Sequence, residues 1–213
     1  MSAAAYPLML DVARLRVLVV GGGAVAARKV AGLADAGGRP TIVAPSATDE
    51  LRASIERLRL VWHPRTYHSM DVDRHHLVFA ATNDQAVNQR VADDARAAGA
   101  LVSRADEGGE SDFHVPSQLR QDDVVVAFST GGASPLLARR LRERLATVVT
   151  PGLGRAARRL AAVRAEVQAR WSADESRRRA FWFDLITPEF LDLAVAGRDD
   201  DVEQSIRRCL SQS

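Results

Sequence analysis

A run of apolar, mostly β-branched residues, Arg16 to Val20 (RVLVV), ends abruptly in Gly21-Gly22-Gly23, and small apolar residues then continue at helical spacing to about Ala36. Strand, glycine turn and helix open a βαβ unit. Gly37-Gly38 stops the helix, and Pro40 to Pro45 (PTIVAP) supplies the next short strand. Strands joined through a helix run parallel, which commits this part of the chain to α/β layering. Within the turn, Gly21-x-Gly23-x-x-Ala26 fits the dinucleotide fingerprint with alanine in its third small position. The first glycine permits a tight turn, the second lets backbone approach a pyrophosphate, and the small third residue lets the helix close on the strand. Free N–H groups at the helix start then face the phosphates. A glycine turn that merely packs has the same sequence, so the strand before it and the helix after it carry the reading.

The pattern continues. Leu51 to Leu58 reads as a helix, Leu60 to His63 as a strand, and His76 to Ala81 (HLVFAA) as a strand apolar enough to be buried on both faces. Asp84 to Ala98 places Val87, Val91 and Ala95 on one helix face, stopped by Gly99, and Ala100 to Ser103 gives another strand. The order β, α, β, α, β, α, β predicts a Rossmann-type, doubly wound parallel sheet over residues 1–112. Phe113 to Ser117 and Val124 to Ser129 then predict two strands, and Pro135 to Leu145 a helix, making a small α+β segment over 113–150. Helical periodicity, broken at Pro188, fills a module over 151–213.

With 46% apolar residues in 213, the chain can bury one good core and a smaller second one. Charge is nearly balanced at a formal +2, which predicts neither a nucleic-acid nor a membrane partner. The balance is uneven locally. Residues 155–179 carry Arg155, Arg158, Arg159, Arg164, Arg170, Arg177, Arg178 and Arg179 against Glu166, Asp174 and Glu175, a segment expected to attract anions. The single cysteine, Cys209, excludes an intrachain disulfide and fits a reducing cytoplasm, and no signal peptide or membrane-length apolar run is evident.

Three blocks, GGGAVAARK at 21–29, AATNDQAVNQRV at 80–91 and STGGASPLLARRLRERL at 129–145, stand in the order seen in the precorrin-2 dehydrogenase and sirohydrochlorin ferrochelatase family. The chain resembles that family well over roughly residues 6–145 and loosely beyond. Three ordered blocks are more specific than one fingerprint. The resemblance implies NAD-dependent oxidation of the tetrapyrrole precorrin-2 to sirohydrochlorin in siroheme synthesis. It further implies a homodimer joined through the 113–150 segment, and a tetrapyrrole cleft completed by the helical module. Some members of the family also insert Fe²⁺ into the product, and the resemblance leaves that second activity open. It implies a functional aspartate past the strand that follows the AAT block, which here is Asp106 in Ser103-Arg104-Ala105-Asp106. The family often has Asn-Val-x-Asp there, so Ser103 and Arg104 are departures.

Read from the residues alone, Asp106 lies just past the carboxyl end of a strand, where a Rossmann sheet opens its crevice. It could take a proton as hydride leaves a substrate. A solvated loop acid, like its neighbours Glu107, Glu110 and Asp112, would read the same way. The candidate cofactor residues are Gly21, Gly22, Gly23, Ala24 and Val25 at the turn, Pro45 and Ser46 after the second strand, and Thr82 and Asn83 after the AAT strand. Asn83 or Asp84 is expected to cap the next helix. The acid that ordinarily binds the ribose hydroxyls about 20 residues after the turn is missing. Val43-Ala44-Pro45-Ser46 stand there, which leaves Ser46 and backbone for the ribose and no electrostatic bar to a 2′-phosphate. The candidate substrate residues are His114 in FHVPS, similar to the family's F-x-x-P-S, together with Ser129, Thr130 and Arg139, whose guanidinium suits a substrate rich in carboxylates. The histidines show no HxxxH or HExxH spacing, so no resident metal site is expected. The rival reading is an NAD-responsive binding module whose Arg-rich helices contact a polyanion or a protein.

Overall fold

A computed structural model of the chain describes residues 6–106 and 110–212. It divides into two compact units, Tyr6–Val115 and the chain from Pro116 onward. In the first unit five strands, β1 (Val17–Val20), β2 (Thr41–Val43), β3 (Trp62–His63), β4 (Leu77–Ala80) and β5 (Leu101–Arg104), form one parallel sheet in the order β3-β2-β1-β4-β5. Three helices accompany them, α1 (Ala24–Asp35), α2 (Asp49–Leu58) and α3 (Gln85–Ala97).

The two-residue period of a strand explains why β1 and β4 are buried at every position. Val17 and Val19 point to one face, where they pack with Val30 and Leu33 of α1 and Leu51 and Ile55 of α2. Leu18 and Val20 point to the other and pack with Val91, Ala92 and Ala95 of α3. Each such side chain contributes about 1.5–3 kcal/mol when fully buried, so a polar substitution at these positions is costly. The sheet is therefore doubly covered, as the alternation of elements requires.

Two details depart from the sequence reading. The link from β3 to β4, where the sequence reading named no element, holds a 3-10 turn, Ser69–Val72. The strand expected from Phe113 begins instead at Ser117. Phe113 is taken up by the sheet unit, where its ring meets Phe79 edge-on at 5.2 Å.

The second unit opens with an antiparallel hairpin, β6 (Ser117–Gln121) and β7 (Val124–Phe128), turned at Asp122 with φ 53°. Five helices follow: α4 (Pro135–Leu145), α5 (Pro151–Arg170), α6 (Glu175–Leu185), α7 (Pro188–Val195) and α8 (Asp199–Gln212). Ala156, Leu160, Val163 and Val167 recur at helical spacing on α5 and meet Phe181, Leu185, Phe190, Val202 and Ile206. Pro188 marks a break because it occupies the first turn of α7, where its missing N–H costs nothing.

The arginine run does not leave a free basic face. Arg155 pairs with Asp199 at 2.8 Å, Arg159 with Glu203 at 2.6 Å and Arg158 with Asp122 at 3.2 Å. Arg170 and Arg178 donate to backbone carbonyls, and Arg179 lies over the Phe183 ring. Much of the expected pull on anions is thus satisfied inside the unit. No described helix is long and apolar enough to cross a membrane.

Candidate cofactor site

The strand order reverses between β1 and β4, because β2 and β3 lie to one side of β1 while β4 and β5 lie to the other. At such a switch point the loops leave in opposite directions and a crevice opens past the carboxyl ends of the strands. A cavity of about 800 Å³ lies there, lined by Gly21, Gly22 and Gly23 after β1, by Pro45, Ser46 and Thr48 after β2, by Thr66, Tyr67 and His68 after β3, and by Thr82 and Asn83 after β4.

The three glycines do different work. Gly21 has φ 130°, and a Cβ on it would stand 2.2 Å from the Ala81 carbonyl oxygen. A Cβ on Gly22 would stand 1.8 Å from the Ser46 carbonyl oxygen, and the Gly22 carbonyl accepts from Thr48 N–H at 2.9 Å. Those two are required by the protein's own packing. Around Gly23 nothing lies within 4 Å of a Cβ position, so the space is left open on the cavity side. Gly23 is also the N-cap of α1 and offers no side chain to its first turn, whereas Thr48 and Asp84 cap α2 and α3. Uncapped N–H groups and an open cradle fit a dinucleotide pyrophosphate. Ala24 and Val25 supply that first turn.

The wall opposite comes from α3. Val87 and Arg90, three apart on α3, line the cavity with Asn83 in the bend just ahead of the helix. Arg90 is held there by its bond to the Tyr67 carbonyl at 3.3 Å and by the Tyr67 ring, 5.4 Å from the guanidinium. The Tyr67 hydroxyl donates to Asp94 at 2.8 Å, and burial, reinforced by that carboxylate, pushes its pKa up. Asp71 steadies the same loop with two bonds from Arg65, at 2.8 and 2.6 Å, and one from His68 N–H. The sequence reading missed Thr66 to His68, Arg90 and Thr48. Helical spacing counted on from Val87 would have found Arg90, and the end of β3 would have found the loop.

Of the remaining candidates, Asp84 is the cap of α3, accepting from Ala86 and Val87 N–H. Asp106 lies two residues past β5 and forms a two-point ion pair with Arg104: Nε to Oδ1 at 3.1 Å and Nη2 to Oδ2 at 2.6 Å. Only 8% of the arginine side chain and 11% of the aspartate side chain are exposed. The guanidinium holds the Asp106 carboxyl below the ordinary carboxylate range. Asn88, fully buried, favours the ionised form of Asp106 to a smaller extent and was not singled out from the sequence. Asp112 accepts from Arg96 and from Val102 N–H, while Glu107 lies outside the described residues. His114 is exposed in the loop before β6. In the second unit, Ser129 accepts from Gly131 N–H, Thr130 donates to the Ser134 carbonyl, and Arg139 pairs with Glu143. Among the described residues no group of His, Cys, Asp or Glu side chains is gathered to hold a metal ion.

Family models match the chain in three successive segments. Residues 8–117 match the model described as "Putative NAD(P)-binding", residues 126–147 the one for sirohaem biosynthesis protein, central region, and residues 152–210 the sirohaem synthase dimerisation region. The chain belongs to this NAD(P)-binding family, in its sirohaem synthase arrangement. Its family relatives include the siroheme synthases of Nitrosospira multiformis, 37% identical over 95% of the chain and 43% of the relative, and of Methylococcus capsulatus, 38% identical over 93% and 42%. The chain thus spans less than half the length of these relatives. The solved structure of SirC, precorrin-2 dehydrogenase, superposes with a TM-score of 0.76 at 28% identity, covering 95% of this chain and all of that one. The family's dimerisation model falls on α5 to α8, whereas the sequence reading set the dimer segment at 113–150.

Proposed function

We propose that this chain oxidises precorrin-2 to sirohydrochlorin with NAD⁺ as hydride acceptor, and does so as a homodimer. The observation that carries the reading is the open cradle at Gly23, beneath the uncapped start of α1 and at the switch point of the sheet. The likeness to SirC along its whole length supports the substrate. Gly21, Gly22 and Gly23, with the first turn of α1 at Ala24 and Val25, hold the pyrophosphate, Pro45, Ser46 and Thr48 border the ribose, and Thr82 and Asn83 flank the nicotinamide side. When bound, the nicotinamide takes the hydride. Asp106 is the carboxylate placed to answer the charge that hydride loss leaves on the macrocycle. His114, Ser129, Thr130 and Arg139 contact the tetrapyrrole.

The dimer is supported by α4, which buries none of its own residues and exposes Leu136 at 64% and Leu137 at 50%. An apolar helix face beside a two-stranded hairpin needs a cover. Residues 113–150 are assigned to the dimer contact.

The test supplies precorrin-2 with NAD⁺, and in parallel with NADP⁺, and follows the spectrum. Sirohydrochlorin and NADH rising in equal amounts are expected. Precorrin-2 left unoxidised by folded protein with either dinucleotide would overturn the reading and favour a binding module. Fe²⁺ added afterwards reads the second activity: siroheme formation assigns ferrochelation, and unchanged sirohydrochlorin restricts the chain to the oxidation.

A further inference from the structure

Asp106 is held by Arg104, and the neighbouring Asn88 is tied to Thr82 at the cofactor cavity. Asn88 Oδ1 accepts from the Thr82 N–H at 3.1 Å and from the Thr82 hydroxyl at 2.8 Å, and Asn88 Nδ2 donates to the Thr82 carbonyl at 3.0 Å. Asn88 also favours the ionised form of the Asp106 carboxylate, as a smaller influence than Arg104. An amide placed this way has no freedom to flip, since both its oxygen and its nitrogen are committed to Thr82. Arg104 grips both carboxylate oxygens with a planar fork. The guanidinium is itself oriented by a bond from Nη1 to the Gln89 side chain, and the Arg104 N–H donates to Ser111 at 2.9 Å. Thr82 in turn lines the cavity.

We propose that Arg104 is a positioning residue that fixes Asp106 as an ionised carboxylate, so that Asp106 acts on the substrate as a fixed negative charge and not as its proton acceptor. The inference rests on the reading that Asp106 serves the oxidation. It changes the chemistry assigned to that residue. A base works best when its pKa lies near the working pH, and a carboxylate gripped by a guanidinium lies far below it. Loss of hydride breaks a C–H bond with both electrons going to the nicotinamide and leaves a cation on the macrocycle. Asp106 stabilises that cation, and the proton that restores neutrality leaves to water. Among the described residues, the charged groups around the carboxylate are Arg104 on β5 and, acting on that guanidinium from α3, Asp93. Asn88 and Gln89, also on α3, are neutral.

The experiment reads Asp106 directly, in the cofactor-free protein, by the carboxyl ¹³C resonance that Asp106→Asn removes. In the wild type it should titrate below the ordinary carboxylate range. In Arg104→Met the midpoint should rise by about 1–3 units, with Arg104→Lys in between because charge returns without the fork. Turnover of Arg104→Met with precorrin-2 should fall about tenfold or more as the carboxylate loses its position, while NAD⁺ affinity stays within about twofold. An unmoved midpoint in Arg104→Met would overturn the clamp. So would a faster Arg104→Met, because releasing a base from its guanidinium brings its pKa closer to neutral. Should Arg104→Met fail to fold, Arg104→Lys decides by the same titration. If Asp106→Asn turns over like the wild type, the role of Asp106 itself falls, whatever the titrations give.

Discussion

The starts of α1 and α5 pose the same backbone problem and receive opposite solutions. At α5 the Thr150 hydroxyl accepts from Leu153 N–H at 3.3 Å and donates to the Val195 carbonyl at 2.8 Å, so one side chain caps the helix and ties it to α7. In the same unit Ser134, Asp174 and Thr187 cap α4, α6 and α7. At α1 the cap is Gly23, with no side chain to give and open space beside it. The helical unit spends its polar groups on its own stability, while the sheet unit leaves one set unmet where an anion can use it. Changes in the first unit's open groups should therefore cost function, and changes in the second unit's closed groups should cost stability.

The largest effect is expected at Asp106. Asp106→Asn should lower precorrin-2 turnover by roughly 10²–10⁴, with NAD⁺ affinity little changed. Because the substitution strands a buried Arg104 without its counter-charge, the thermal midpoint should fall too, so turnover is measured where the variant is still folded. Next comes the dimer. Leu137→Asp on α4 should weaken association by roughly thirtyfold or more in sedimentation, whereas Phe183→Asp, at an exposed ring on α6, should leave it intact. The reverse pattern would move the interface to the helices matched by the family's dimerisation model.

Smaller effects belong to the closed unit. Thr150→Ala should cost about 1 kcal/mol in denaturant unfolding and leave NAD⁺ binding unchanged. Glu203 is gripped by Arg159 and then by Arg207, which hold its carboxyl down to about 2. A depressed carboxylate stabilises the fold above its unfolded pKa of roughly 4.3. That contribution is lost as pH falls from there through about 2. Glu203→Gln should remove this part of the acid sensitivity and, the pair being near the surface, cost under about 1 kcal/mol at neutral pH.

The sheet and its crevice were legible because both rest on local rules. Strands buried on both faces read as apolar runs, such as Val17 to Val20, and the glycine turn has a sequence of its own. The 3-10 link before β4 was less legible, because Ser69–Val72 is set by the His68 and Asp71 pairing and not by periodicity. Asn88 escaped notice since a buried amide on an otherwise apolar helix face looks like any surface asparagine until its partner Thr82 is placed beside it. The arginine run misled for a related reason. Asp122, Asp199 and Glu203, which neutralise it, are 36 or more residues away along the chain.

The central claim is that the open space at Gly23 is a dinucleotide's and not a vacancy of packing. Calorimetric titration of NAD⁺ into the wild type and into Gly23→Asp tests it most directly. The backbone at Gly23, φ −83°, accepts a side chain, so the variant should fold like the wild type by circular dichroism and unfold at nearly the same temperature. Its carboxylate would then stand where the pyrophosphate belongs. Saturable binding to the wild type and none to the folded variant is the predicted result, and undiminished affinity in Gly23→Asp would contradict it.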